Sequence, residues 1–284
     1  MKNTFDYCLR ENLLGVGWRV PGLQSTKNWN DYYKEAIKTH GKVNVCKYIN
    51  KWVEEYDLVW TRDQNGKYYL AKVESGWEYL NTKEAKDKDI DIANVFRCEN
   101  ILPVEIDEVP GKVIASFRAK RSIQKVTGFQ TLEYSKFLWN KLSGKDTYDI
   151  NSTKIKDVFS MLDDEETEDL IFLYLQTKDW FIVPNSRKGD TMKYEFYLIS
   201  KIDHSKALVQ VKTGNSILNR EEYLDLDNQH LVYLFQSNEK YVGKQSNNIV
   251  CLSRDEIRSF IEESFPILPK AIKFKYNLVK SIKG

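Results

Sequence analysis

The chain has 284 residues, 43 of them Lys or Arg and 41 Asp or Glu, for a formal net charge of +2. With 42% hydrophobic and 30% charged residues, it reads as a folded globular protein, not a disordered polycation. No apolar run approaches ~18 residues, and the opening MKNTFDYCLRENLL carries charges throughout, so neither a membrane span nor a signal peptide is expected.

The first half reads mainly as strands with one or two helices. Residues 29–38 place aromatic and apolar side chains at helical spacing. Residues 43–55 predict a second helix, with Val45, Tyr48, Ile49 and Trp52 on one face. The period then changes. Asp57–Thr61 and Tyr68–Val73 are β-rich runs separated by RDQNGK, whose Asn-Gly marks a hairpin with a loop longer than two residues. Val95–Cys98, Leu102–Val104 and Val113–Phe117 read as further short strands, with Pro110-Gly111 as a turn. Residues 128–155 mix an aromatic helix, Leu132–Leu142, with a polar, turn-rich stretch, and the spacing predicts a connector there.

The second half predicts a helix from about Asp157 to Gln176, then strands at Trp180–Val183, Tyr194–Ser200 and Ala207–Lys212. A short helix over 216–224, a buried strand at Leu231–Phe235 and a closing helix at Ser253–Glu263 follow. Ser253 has Glu256 three residues on, the pattern of a capping box. The expected division is 1–127, a connector over 128–155, and 156–284.

Cys8, Cys46, Cys98 and Cys251 are dispersed and form no CxxC pair, which argues against a structural zinc site and fits a reducing cytoplasm. His40, His204 and His230 are isolated. Polar residues in the strands are more informative. Ala207–Val211 reads ALVQV and ends beside Lys212, and a buried strand does not place Gln210 and Lys212 in its last residues without a partner for them. Two residues apart, they point to the same face. Glu195 lies in YEFYLI, also apolar in character. If the two strands are neighbours, a carboxylate, an amide oxygen and an ammonium converge. Hard oxygen donors suit Mg²⁺, and an adjacent lysine suits the charge that develops on a phosphodiester. Glu168 in the acidic run DDEETEDLIFLYL and Asp190 in the preceding loop are further acid candidates.

The order Glu168, Asp190/Glu195, Gln210-x-Lys212 resembles the PD-(D/E)xK nuclease superfamily, and more narrowly its Mrr-like restriction-endonuclease branches that carry QxK. The resemblance covers about residues 155–265. It implies an α/β core with a central mixed sheet, Mg²⁺ dependence with Mn²⁺ as a substitute, and cleavage of double-stranded DNA. It assigns Glu168, Glu195, Gln210 and Lys212 to catalysis, with Glu195, Gln210 and Asp190 toward the metal. Here Gln stands where an acid is usual and Glu where Asp is usual. Those departures keep a catalytically inactive nucleic-acid sensor as the alternative. A homodimer is expected if both strands are cut.

Tryptophans crowd the first 80 residues: Trp18, Trp29, Trp52, Trp60 and Trp77. Such rings can stack on bases or simply fill a core. The segments Gly17-Trp18, DLVWTRDQNGKYYLAKVESGWEY, DIANVFR and VPGKVIASF resemble the PUA-like group, within it the EVE-type domains, over about residues 10–126. That resemblance implies a small β-barrel with flanking helices that holds a base, modified bases included. It carries over Trp18, Trp60, Trp77 and Tyr79 as the wall; Asp89, with Asp91 and Asn94, supplies polar groups for the base edge. The combined expectation is an α+β protein for restriction or anti-phage defence. Basic residues expected at phosphates are Arg118, Lys120, Arg121, Arg187 and Lys188. A further basic cluster comprises Lys270, Lys273, Lys275, Lys280 and Lys283.

Overall fold

A computed structural model describes residues 2–119, 121–188, 193–226 and 229–283. The chain divides into two compact units. One comprises Met1–Val109, Ser116–Thr127 and Leu132–Ile150; the other comprises Pro110–Ala115, Gly128–Thr131 and Asn151–Gly284. Both mix helix and strand, so the protein is α+β.

The first unit contains α1 (Lys2–Arg10), β1 (Leu13–Val16), α2 (Trp29–His40), α3 (Asn44–Trp52), β2 (Leu58–Arg62), β3 (Tyr68–Tyr79), α4 (Lys83–Asp87) and β4 (Asn94–Val104). The strands form an antiparallel sheet in the order β1-β4-β3-β2. Register shifts along β3 between Lys72 and Trp77 insert bulges against β4. Bulges increase local twist, which curls this sheet into half a barrel. Residues 95–98 and 102–104, read as two short strands, belong to the single long strand β4.

The β2–β3 hairpin turns where Asn-Gly predicts it. Asp63 Oδ1 accepts hydrogen bonds from the Asn65 and Lys67 backbone N–H groups, and Gly66 takes φ +84°. β1 approaches β4 so closely at Gly15 that an added Cβ would lie 2.3 Å from the Asn94 carbonyl oxygen. Only glycine fits there. Asn28 caps α2, and Tyr32 and Ala36, four residues apart, are turned into the core.

α5 (Gly111–Ser116) and α6 (Phe129–Ser143) follow. Val113–Phe117 is therefore not a strand. The Pro110 carbonyl accepts hydrogen bonds from the Val113 and Ile114 N–H groups and closes a helical turn that β-branched composition does not announce.

The second unit contains α7 (Asp164–Thr177), β5 (Trp180–Ile182), β6 (Phe196–Ser200), β7 (Lys206–Lys212), β8 (Leu218–Asn219), β9 (Leu231–Gln236), β10 (Tyr241–Val242), β11 (Ile249–Leu252), α8 (Arg254–Glu263) and α9 (Lys270–Lys283). Its main sheet is mixed, in the order β11-β9-β7-β6-β5. β5, β6 and β7 form an antiparallel meander; β9 runs parallel to β7, and β11 to β9. Phe196, Leu198, Ala207, Val209 and Val211 face a core shared with Leu170 and Ile171 of α7, Ile257 and Ile261 of α8 and Ile272 of α9. Val232, Leu234, Leu218 and Tyr223 form a smaller cluster.

Two helical expectations change here. The helix expected from Asp157 begins at Asp164, because two acids each cap a separate start. Asp157 caps the 3₁₀ turn Val158–Ser160, and Asp163 forms a capping box with Glu166. The short helix expected over 216–224 is β8 followed by the 3₁₀ turn Arg220–Tyr223, capped by Asn219. Ser253 caps α8 as expected, with its side chain accepting from the Glu256 N–H. The Glu256 carboxylate takes a hydrogen bond from the Tyr174 hydroxyl.

All four thiols are free, and Cys8, Cys46 and Cys98 are buried. Burial pushes Cys8 and Cys98 up to about 12 and raises Cys46 as well. Since the thiolate is the reactive form, a disulfide-exchange reagent at pH 8 should label half-buried Cys251 first. The other three should react only in denaturant, which stoichiometry against time will report.

Candidate active site

An open polar convergence in the second unit lies where β6 begins and β7 ends. The Glu195 N–H donates to the Val209 carbonyl at 2.7 Å, although Val209 is already the partner of Phe196, so the chain bulges by one residue where β6 begins. From that bulge the Glu195 side chain reaches Gln210 of β7. The Gln210 Nε2 donates to Glu195 Oε1 at 2.7 Å, and Lys212 Nζ lies 3.4 Å from the same oxygen. Gln210 is 3% exposed, whereas the Glu195 and Lys212 side chains are 30% and 43% exposed. The site is thus anchored at the amide and open at the charges.

The amide orientation matters chemically. The Gln210 NH₂ group also donates to the Val211 carbonyl, at 3.2 Å. Both its hydrogens are thereby engaged, while its Oε1 accepts no hydrogen bond from the described residues. Glu195 Oε2 is likewise clear of hydrogen bonds from those residues. One carboxylate oxygen and one amide oxygen on neighbouring strands form a hard donor pair of the kind Mg²⁺ takes when substrate phosphate and water complete its shell. Among the described residues, no three His, Cys, Asp or Glu side chains cluster as metal ligands. Asp190 lies outside the described residues.

Two neighbours escaped the sequence reading. Gln236, at the end of β9 opposite Lys212, is fully buried. Its amide donates to the Gly214 and Ser216 carbonyls and accepts from the Asn238 and Lys240 N–H groups. The Ser237 N–H donates to the Lys212 carbonyl. Together these bonds fix the backbone that follows Lys212. The signal was in the sequence: LVYLFQ ends an apolar run on an amide, as ALVQV does. Tyr223, in the 3₁₀ turn Arg220–Tyr223, is buried, and its hydroxyl is pushed up to about 12, first by burial and then by the Glu222 and Glu195 carboxylates. Nothing local in NREEY marks that tyrosine, because its proximity to Glu195 comes from the β7–β9 crossover.

The acids of α7 take different places on the helix. With Asp163 as the cap, the buried stripe runs through Glu166, Leu170 and Tyr174. Glu168 lies two residues off it, about 200° around the helix, and is half-buried. The acid that faces the interior is Glu166, 4% exposed and paired with Lys275. Lys275 is 0% exposed, so it is removed from the set of surface phosphate contacts.

The base-pocket aromatics divide. Trp77 and Tyr79 are buried. The Trp77 Nε1 donates to Asn94 Oδ1, whose amide in turn donates to the Gly17 carbonyl and the Tyr32 hydroxyl. The Tyr79 hydroxyl donates to the Val20 carbonyl and accepts from the Val20 N–H. Those three side chains are core with satisfied polar tips. Trp18 is half-buried at φ +63°, packed against that core. Trp60 is half-buried, and its Nε1 donates to Ser135 of α6. Asp89 is exposed at φ +51°. Arg118 and Arg121 are exposed. Lys120 and the side chains of Arg187 and Lys188 lie outside the described residues.

No family model and no curated protein matches the chain. Among solved structures, a DNA modification-dependent restriction endonuclease, AspBHI, aligns over 96% of this chain and 81% of its own, with 9% identity and a TM-score of 0.29. A TM-score of 0.29 is below the level of a shared fold, and the site's chemistry stands on its own geometry. Among the described residues, no helix is long and apolar enough to cross a membrane.

Proposed function

We propose that the protein is a divalent-metal-dependent DNA endonuclease of the restriction type, with its active site at Glu195, Gln210 and Lys212. The observation that carries this reading is the meeting of Gln210 Nε2 and Lys212 Nζ on one oxygen of Glu195 at the open end of a mixed sheet. Glu195 and Gln210 are the residues that would hold Mg²⁺ or Mn²⁺. When bound there, the ion supplies Lewis-acid polarisation of the phosphodiester. Gln210 keeps the Glu195 carboxylate in place through its NH₂ group. Lys212, half-exposed, can turn from Glu195 to a phosphate oxygen and stabilise the charge that grows there. Glu168 and Asp190 remain proposed contributors.

In the same reading the first unit inspects bases, modified ones included, through the half-buried rings Trp18 and Trp60. Trp77 and Tyr79 act as the frame behind them. Restriction or anti-phage defence is the setting proposed. A catalytically inactive DNA sensor is the second reading, favoured by the single carboxylate in the triplet.

Incubating the purified protein with unmodified, methylated and hydroxymethylated plasmid DNA in Mg²⁺, Mn²⁺ or EDTA separates these. Nicking that needs the metal is the expected result. Tight binding without nicking in either metal selects the sensor, and neither binding nor nicking removes both.

A further inference from the structure

The far end of the same sheet carries a second polar feature. A cavity of about 440 Å³ opens at the starts of β7 and β9, lined by His204, Lys206, Gln229, His230 and Asn248 among others. No carboxylate is among its described lining residues. His230 Nδ1 is buried and has no hydrogen-bond partner among the described residues. The turn beside it is rigidly built. Asp203 Oδ1 accepts from the Ser205 N–H and hydroxyl, and Ser200 Oγ accepts from the Ile202 and Asp203 N–H groups. The Ser200 hydroxyl first, then the Ser205 hydroxyl and N–H, hold the Asp203 carboxyl down at about 2, as the carboxylate. They also present His204 at φ +60°.

The cavity and the Glu195 site lie at opposite ends of one sheet face, with Leu208 and Gln210 of β7 buried between them. Lys206, Gln210 and Lys212 share strand parity, so Lys206 lies on the face of the active site, about 20 Å from Lys212 at 3.3 Å per residue. Tyr197, two residues from Glu195 on β6, meets the His230 ring edge-on at 5.8 Å. Alongside, Ile199 and Phe181 are exposed, and Lys201 Nζ sits 4.7 Å over the Phe181 ring. Rings and apolar side chains flanked by donors suit a nucleic-acid strand, whose bases stack while its phosphates meet cations.

We propose that this cavity is a phosphate site for the nucleic-acid strand whose scissile bond lies at Glu195 and Lys212. It rests on the nucleic-acid part of the reading above, not on catalysis. The about 20 Å separation spans roughly six base steps of B-form DNA at 3.4 Å each, so the cavity holds a flanking phosphate of the same substrate. His204, Lys206 and His230 are its donors.

The test measures binding without metal, so it does not depend on cleavage. Lys206→Gln and His204→Asn change exposed side chains, and Asn tolerates the positive φ. For a 16-nucleotide duplex, the double variant is expected to bind roughly tenfold more weakly, with a salt slope smaller by about 1–2. Lys156→Gln, at an exposed side chain that does not line the cavity, serves as the control. With only three histidines in the chain, imidazole NMR resonances are readily assigned. Those of His204 and His230 should shift on adding the duplex, while His40 stays still. Unchanged affinity and salt slope in the double variant would overturn the proposal. So would inorganic phosphate or AMP that shifts His230 without competing with the duplex, which would mark a free-nucleotide site. If cleavage is never seen but the double variant still weakens binding, the cavity assignment stands and the catalytic reading falls.

Discussion

Replacing Lys212 by alanine should lower the metal-dependent cleavage rate by about 10²–10³-fold, the loss typical of one preorganised charge-stabilising donor. Folding stability should change by less than about 1 kcal/mol, because the Glu195–Lys212 pair is partly solvated and such pairs contribute little. The split between the two readouts carries the argument. A lysine that only completed a cross-strand ion pair would leave cleavage untouched. Glu195→Gln tests the other half. It keeps the hydrogen-bonding shape toward Gln210 and Lys212 but removes the charge that attracts a divalent ion, so cleavage should fall comparably and shift toward higher metal concentration. Gln210→Glu is the more discriminating change. It sets a second carboxylate against Glu195, where the Gln210 Nε2 now lies at 2.7 Å. Without metal the two like charges should lower the melting temperature, and millimolar Mg²⁺ or Mn²⁺ should restore it by binding only the native site. A melting temperature indifferent to metal would remove Glu195 and Gln210 as ligands.

How much of this was legible in the sequence depends on which physical signal each residue leaves. Gln210 and Lys212 were legible because polar side chains ending a β-branched run must be satisfied by something, and period-2 alternation puts them on one face. That the Glu195 side chain meets Gln210 followed only if the strands paired, which the KIDHSK turn made natural. The tryptophans were less legible. Alternation places Trp77 and Tyr79 together but does not say whether their face looks inward; the bulges in β3 decide that by curling the sheet over Tyr32. Trp60 sits on β2 next to Val59, which packs on the core, and so turns instead toward Ser135 of α6. The start of the long helix was not legible in the acidic run. Asp157 and Asp163 are both good caps, and only the backbone shows that the long helix starts at the second. With that start Glu166 is the buried acid of α7, and Glu168 is half-buried. Lys275 was hidden for a related reason: in KAIKFKYNLVKSIK every lysine looks solvated until a partner carboxylate is known to lie beneath one of them.

That buried lysine gives the largest stability effect expected. Lys275 and Glu166 are 0% and 5% exposed at their side chains and form an ion pair. Glu166 Oε2 also accepts from the Asp163 N–H at 2.9 Å within the capping box of α7. The ammonium therefore ties α9 to the start of α7. Breaking a buried pair by removing one partner strands the other charge, at a cost of about 3–5 kcal/mol, so Lys275→Met should lose that much in urea unfolding at pH 8. The loss should depend on pH in a definite direction. Burial is the main influence on Glu166 and pushes its carboxyl up, while Lys275 pulls it down. Without Lys275 the folded-state carboxyl rises further. A carboxyl raised above its unfolded value binds its proton more tightly in the native state, so the penalty grows as pH rises through the interval between the two values and vanishes below the unfolded one, about 4.3. The deficit of Lys275→Met should thus be smaller at pH 5 than at pH 8. Adding Glu166→Gln should recover part of the loss at pH 8 and flatten the pH dependence, since no charge is left to strand. Equal deficits at both pH values, or additive single and double variants, would show that Lys275 acts through packing of its stem and not through Glu166.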